Sequence, residues 1–186
     1  MRIGVPPQRF EAAGDAEPRP HANCYWLVPG QLLAGEYPAA HMTALRAAGI
    51  TDFIDLTCRD EGLPTYNEQL AADQRWQRFG ITDYSVPSPR RMQQILRAIG
   101  RVIAGGGRLY LHCHGGAGRT GTVAGCLLVA QGFPAREALD LIARKWQVAA
   151  RSIHSPASPE TDEQREFVMR WPPGPTGLPP RSVARR

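Results

Sequence analysis

Apolar residues along the chain follow two periods. Cys24–Val28 and Gln31–Ala34 are short apolar runs around Pro29-Gly30, which predicts a hairpin. Ala39–Ala48 reads as a helix stopped by Gly49. Thr51–Thr57 carries Phe53, Ile54 and Leu56 and predicts a buried strand. A short helix around Tyr66–Ala72 and a strand at Trp76–Phe79 follow. Ser88 then offers an N-cap and Pro89 a first helical residue. Behind them Met92, Ile95, Leu96, Ile99, Val102 and Ile103 recur at helical spacing until Gly105-Gly106-Gly107. Arg108–His112 predicts a short strand, Thr120–Gln131 an apolar helix closed by Gly132, and Pro134–Lys145 another helix. A last helix opens at Ser158-Pro159-Glu160 and reaches Arg170. Strands separated by helices imply an α/β fold, with a central, mostly parallel sheet flanked by helices on both faces.

The ends lack this periodicity. Residues 1–21, rich in proline, alanine and charge, read as a flexible arm. Residues 172–186 read as a disordered tail rich in proline and arginine. The folded domain is then expected over 22–171. No segment resembles a signal peptide, and the longest apolar stretch is far too short to span a bilayer.

Charge adds a second signal. There are 22 basic and 17 acidic residues, and Lys145 is the single lysine. From Tyr84 to Arg136 the chain has seven arginines and no carboxylate. Such a stretch attracts anions. Basic–aromatic interleaving is missing, so no nucleic acid partner is expected.

The four cysteines (Cys24, Cys58, Cys113 and Cys126) have neither metal spacing nor disulfide density, which suits free thiols in a reducing, cytoplasmic setting. Cys113 stands out. It follows the strand ending at His112 and opens the loop His114-Gly115-Gly116-Ala117-Gly118-Arg119, ahead of a helix. Small residues let backbone amides curl around an anion at a helix N-terminus. Arg119 adds a planar fork for two phosphate oxygens. That field also favours the thiolate of a cysteine. Cys113 with His112 and His114 makes a poor metal cluster, because adjacent residues converge badly on one ion.

His112-Cys113, five residues, then Arg119-Thr120 resembles the signature of the cysteine-dependent protein tyrosine phosphatases. The chain's length is similar to the compact dual-specificity-like branch, bacterial members included. The likeness covers about Asn23–Trp171, and includes Tyr25-Trp26, Ala34–Pro38 and Ser158–Gln164. It implies the phosphatase fold and hydrolysis of phosphoprotein monoesters through a phosphocysteine, without metal or cofactor. Cys113 is the implied nucleophile. Asp83, the sole carboxylate between Asp73 and Glu137, is the implied general acid. Arg119 and the amides of residues 114–119 are the implied phosphate cradle. Thr120 is expected to hydrogen-bond the sulfur and His112 to brace the loop. Gln164 is a candidate for placing water, and Cys58 for a redox disulfide with Cys113. Glu36 and Glu61 are near enough in pattern to steady Arg119, but surface carboxylates are the commoner case, and neither is assigned. The same chemistry on a phosphoinositide, an RNA 5′-phosphate or a small ester stays open, as do a rhodanese-like sulfurtransferase and a non-catalytic phosphate-binding module.

Overall fold

Side chains in the central strands alternate between two differently built cores, which is why the sheet is covered on both faces. A computed structural model describes residues 3–173. The strands are β1 (Cys24–Val28), β2 (Leu32–Gly35), β3 (Asp52–Asp55), β4 (Arg75–Arg78) and β5 (Leu109–His112), in the order β1-β2-β5-β3-β4. β1 pairs antiparallel with β2, and the other pairings are parallel. The helices are α1 (Pro7–Glu11), α2 (Met42–Ala47), α3 (Pro89–Ala104), α4 (Gly118–Ala130), α5 (Ala135–Trp146) and α6 (Asp162–Arg170). Leu109, Leu111 and Ile54 face the larger, aliphatic core with α3, α4, α5 and α6. Tyr110 and Phe53 face the opposite way, into an aromatic core with Trp26, Tyr66 and Met42 and Leu45 of α2. The two-residue period of a strand produces this split.

α4 is buried along its whole length. A helix apolar all round must be enclosed, and α3, α5 and α6 enclose it. Ser88 does cap α3, its Oγ accepting from the Arg91 amide at 3.2 Å. α6 starts later than the sequence suggests. Thr161 is its N-cap, in a capping box with Gln164, so Ser158–Glu160 is an approach loop. The short helix expected at Tyr66–Ala72 is a single 3₁₀ turn at Asn67–Gln69.

The expected flexible arm is a correction, because its described residues pack on the domain. Ile3 and Val5 are buried, and Phe10 is fully enclosed, its ring in a T-shaped contact with Phe133. The Ile3 amide donates to Gln131 Oε1 at 3.0 Å, and the Trp26 amide to the Gly14 carbonyl at 2.8 Å. Lys145 Nζ donates to the carbonyls of Ala12 and Trp26 at 2.5 and 2.9 Å. Three irregularly spaced apolar anchors outweigh the polar composition, and their partners lie far along the chain. Of the expected tail, residues 174–186 lie outside the described residues. Among the described residues, no helix is long and apolar enough to cross a membrane.

Candidate active site

The parallel strands end in one row. Gly35 pairs with His112, His112 with Asp55 and Asp55 with Arg78. The four connections that leave this row open on the same rim, where ligands of parallel sheets bind. After β5 comes Cys113. After β2 comes Glu36, after β3 the turn Arg59–Glu61, and after β4 the loop Ile81–Asp83.

The loop from Cys113 to Arg119 curls tightly. The Gly116 amide donates to Cys113 Sγ at 3.2 Å. Gly116 has φ +85°, and a Cβ there would lie 2.6 Å from the Gly35 carbonyl carbon and 2.9 Å from the Glu36 amide nitrogen. Only glycine meets both conditions. The Tyr37 amide donates to the His114 carbonyl at 2.8 Å, which fixes the outer side of the loop. His114 is exposed, Gly115 half-buried, and Gly116, Ala117 and Gly118 are buried.

His112 directly precedes this loop. It is fully buried and packs against Tyr37, Tyr66 and Tyr110. Its Nδ1 lies 3.2 Å from the Cys113 carbonyl, an acceptor, so that nitrogen carries the proton. Nε2 then accepts from the Tyr66 hydroxyl at 2.7 Å. Burial pushes the imidazole down to about 4, so it stays neutral at physiological pH.

Arg119 is buried, yet its guanidinium meets two carboxylates. Nη1 and Nη2 donate to Glu61 Oε1 and Oε2 at 2.5 and 3.0 Å, and Nη1 also donates to the Ile81 carbonyl at 3.0 Å. Nη2 is 2.8 Å from Asp83 Oδ1. Burial by itself would lower the pKa of Arg119, but the Glu61 hydrogen bonds and the charges of Cys113, Glu61 and Asp83 push it up. For Glu61 burial acts upward, and the bonds from Arg119 and the Cys58 amide outweigh it and hold the carboxyl low. Arg119 Nε is buried without a partner. A buried guanidinium N–H left unpaired is costly, and an anion in the loop would satisfy it.

Glu61 is thus a site residue that sequence patterning left unassigned. Its signal was weak because its turn follows a different strand, 58 residues before Arg119. Cys58 helps build that turn. Its amide donates to Glu61 Oε1 at 2.6 Å, and its side chain accepts from the Glu61 amide. Burial and the charges of Glu61 and Asp60 push the Cys58 thiol up. All four cysteines are free.

Two expectations need correcting. Thr120 does not bond the Cys113 sulfur. Its Oγ1 is buried with no partner, and the Gly116 amide approaches the sulfur instead. Gln164 is not free to place water. It is fully buried, its Oε1 accepts from the amides of Glu160 and Thr161, and its Nε2 donates to the Ser85 carbonyl at 3.2 Å. Gln164 instead ties α6 to the loop that carries Asp83. That loop is exposed at its tip, where Asp83 Oδ1 accepts from the amide of Tyr84, a residue held at φ +57°.

Among the described residues one grouping, His21, Glu36 and His41, has metal-ligand chemistry. The two imidazole planes are parallel within 1° with centroids 4.0 Å apart. An ion in the plane of one ring is then displaced from the plane of the other, which opposes joint ligation. Glu36 Oε1 serves as an acceptor for Asn23 Nδ2 at 2.9 Å and faces His41 Nε2 at 3.1 Å.

A cysteine above a curled amide loop, beside a buried arginine at the carboxyl rim of a mostly parallel sheet, defines a domain of the dual-specificity and protein tyrosine phosphatase type. Residues 21–168 match the PTP-SAK family, described as the Swiss Army Knife protein, DSP-PTPase phosphatase domain, and the chain belongs to it. It is 30% identical over 158 residues to protein 067L of Invertebrate iridescent virus 3, which carries a tyrosine phosphatase name. That match covers 81% of this chain but 60% of the viral protein's length. Among solved structures, Tk-PTP in its active form is 28% identical, with a TM-score of 0.63 over 74% of this chain and 88% of that one. TpbA of P. aeruginosa shares the fold at 17% identity, with a TM-score of 0.61 over 82% and 86% of the two chains.

Proposed function

We propose that the chain hydrolyses phosphomonoesters on phosphoproteins, phosphotyrosine foremost, through a phosphocysteine intermediate and without a metal. One observation carries this reading: the Cys113 sulfur lies under the Gly116 amide in a loop whose buried Arg119 has an unpaired Nε and an ion pair to Asp83. This arrangement supports Cys113 as nucleophile, the loop as anion cradle and Asp83 as acid.

The phosphoryl group enters the loop and takes Arg119 Nε and the amides of residues 114–119 as donors. Its oxygens displace Asp83 from Nη2, which frees that exposed side chain to turn toward the leaving oxygen. The Cys113 thiolate attacks phosphorus while Asp83, which takes up a proton from solvent once released from Arg119, gives that proton to the departing phenolate or alkoxide. The P–O bond breaks and a P–S bond forms. Asp83, now a carboxylate, takes a proton from water as that water attacks phosphorus and the thiolate leaves. Glu61 keeps the guanidinium oriented and charged throughout. A reduced Cys113 is required, which suits the cytoplasm.

A lipid substrate has less support. PTPMT1, solved with PI(5)P, is 19% identical and so shares only the fold. The loop here has no lysine, and the chain's one lysine, Lys145, is buried on backbone carbonyls.

The test is hydrolysis of p-nitrophenyl phosphate across pH, with EDTA and a reductant, by wild type, Cys113→Ser and Asp83→Asn. Turnover by wild type, none by Cys113→Ser and a slowed rate with an altered pH profile for Asp83→Asn are expected. A folded wild type with no turnover, or turnover abolished by EDTA, overturns the proposal. Sulfur transfer from thiosulfate by that inactive protein would instead indicate rhodanese-like chemistry.

A further inference from the structure

A second arginine stands at the mouth of the loop, prepared for an anion that the cradle itself does not hold. Arg151 lies in the 3₁₀ turn Ala150–Ile153, between α5 and α6. Its amide donates to Asn23 Oδ1 at 3.0 Å, and Asn23 Nδ2 donates to Glu36 Oε1 at 2.9 Å. Glu36 Oε2 accepts from Arg151 Nη1 at 3.2 Å. This closed circuit holds the residue at its backbone and at its guanidinium. Glu36 directly follows β2, against which Gly116 packs, so the circuit is anchored to the same backbone as the loop.

The free edge of the guanidinium has a definite direction. A Cβ built on Gly115 would lie 3.8 Å from Arg151 Nε and 3.9 Å from Nη2. Among the described residues, neither nitrogen has a hydrogen-bond partner; the salt bridge to Glu36 uses Nη1 alone. The Nε and Nη2 edge presents two parallel N–H groups, the geometry that binds a carboxylate or phosphate with two bonds. Arg151 thus lies beside Gly115, on the side from which a Cβ would project. Half its side chain is exposed, so a ligand can reach it. An arginine normally loses rotamer freedom when it captures a ligand, and here the fold has already restricted it.

We propose that Arg151 reads a second anionic group on a phosphopeptide, a carboxylate within two residues of the phosphotyrosine. The inference rests on the phosphopeptide reading above. Tyr84 and Ile153, two of the most exposed large apolar side chains among the described residues, sit on the Asp83 and Arg151 loops and offer contacts to neighbouring peptide residues.

The experiment measures binding of phosphotyrosine peptides to Cys113→Ser by fluorescence anisotropy. The peptides carry glutamate at one of the two positions on either side, or alanine throughout. At least one glutamate peptide is expected to bind roughly five- to tenfold tighter than the alanine peptide. In Cys113→Ser/Arg151→Gln that ratio falls below about twofold, and Arg151→Lys, which keeps the charge but not the two-bond edge, recovers only part of it. The proposal is overturned if no glutamate position is favoured, or if the preference survives Arg151→Gln. It is equally overturned if Arg151→Gln weakens the alanine peptide by the same factor, which places Arg151 on the scissile phosphoryl. Weakened binding of a soluble short-chain phosphoinositide with every peptide unaffected also overturns it, in favour of a headgroup. Because binding is read without turnover, loss of the catalytic proposal would appear separately, as a wild type inactive on p-nitrophenyl phosphate.

Discussion

Replacing Gly116 by alanine tests whether loop shape governs activity. Two costs add at this position. A side chain at φ +85° is strained, which costs about 1–2 kcal/mol. The new Cβ would also lie 2.6 Å from the Gly35 carbonyl carbon, and β2 backbone cannot yield as a flexible side chain does. The loop must retreat by about an ångström, which brings the total to roughly 3 kcal/mol. Gly106 is the matched control, because its φ is +76° and nothing lies within 4 Å of a Cβ there. Gly106→Ala should lower Tm by about 5 °C and Gly116→Ala by about 9 °C, at roughly 3 °C per kcal/mol for a chain of this size. A misplacement of that size moves the Gly116 amide off the sulfur and costs about 100-fold in kcat/KM on p-nitrophenyl phosphate. Thermal unfolding and steady-state kinetics on both variants are the assays. The reasoning fails if Gly116→Ala loses no more Tm than Gly106→Ala and retains turnover within about threefold of wild type.

The remaining predictions concern other supports of the site and fold. Glu61→Gln replaces a two-bond carboxylate with a neutral amide, so kcat/KM should fall roughly 5- to 30-fold and inhibition by vanadate should weaken with it; wild-type values for both would refute the positioning role. Stability should fall with pH below neutrality because the unfolded chain takes up His112's proton near 6.5, whereas the folded chain resists until about 4. That window is worth at most roughly 3 kcal/mol at 1.36 kcal/mol per unit. His21, also pushed down to about 4 by burial, adds to the slope. Urea unfolding from pH 7 to 4.5 should therefore show a shallower loss in His112→Gln, and an identical slope would count against the assignment. Lys145→Met leaves the carbonyls of Ala12 and Trp26 without their donor. It should cost about 1–3 kcal/mol and expose residues 3–20 to proteolysis first; unchanged cleavage would show that the clasp is not needed.

Much of this protein was legible along the chain. The two-residue alternation in Leu109–His112 and the helical spacing from Met92 to Ile103 follow from local geometry, so strands and helices declared themselves. The span from His112 to Thr120 is contiguous, and its chemistry needs only a strand, a loop and a helix in order. Asp83 was singled out through the family resemblance, and the fold brings it within 2.8 Å of Arg119. Other features depended on which distant segments meet. Glu61 reaches Arg119 only because parallel pairing aligns Asp55 with His112 and opens both following loops on one rim. Phe10 and Lys145 reveal the packed N-terminal segment only once α5 and β1 lie beside it. Nothing in the sequence singles out Arg151, which Asn23 and Glu36 hold beside Gly115. Local periodicity determined the elements and the loop that holds Cys113. Tertiary packing decided which charges face that loop, because ion pairs and buried contacts form between residues that sequence spacing does not relate.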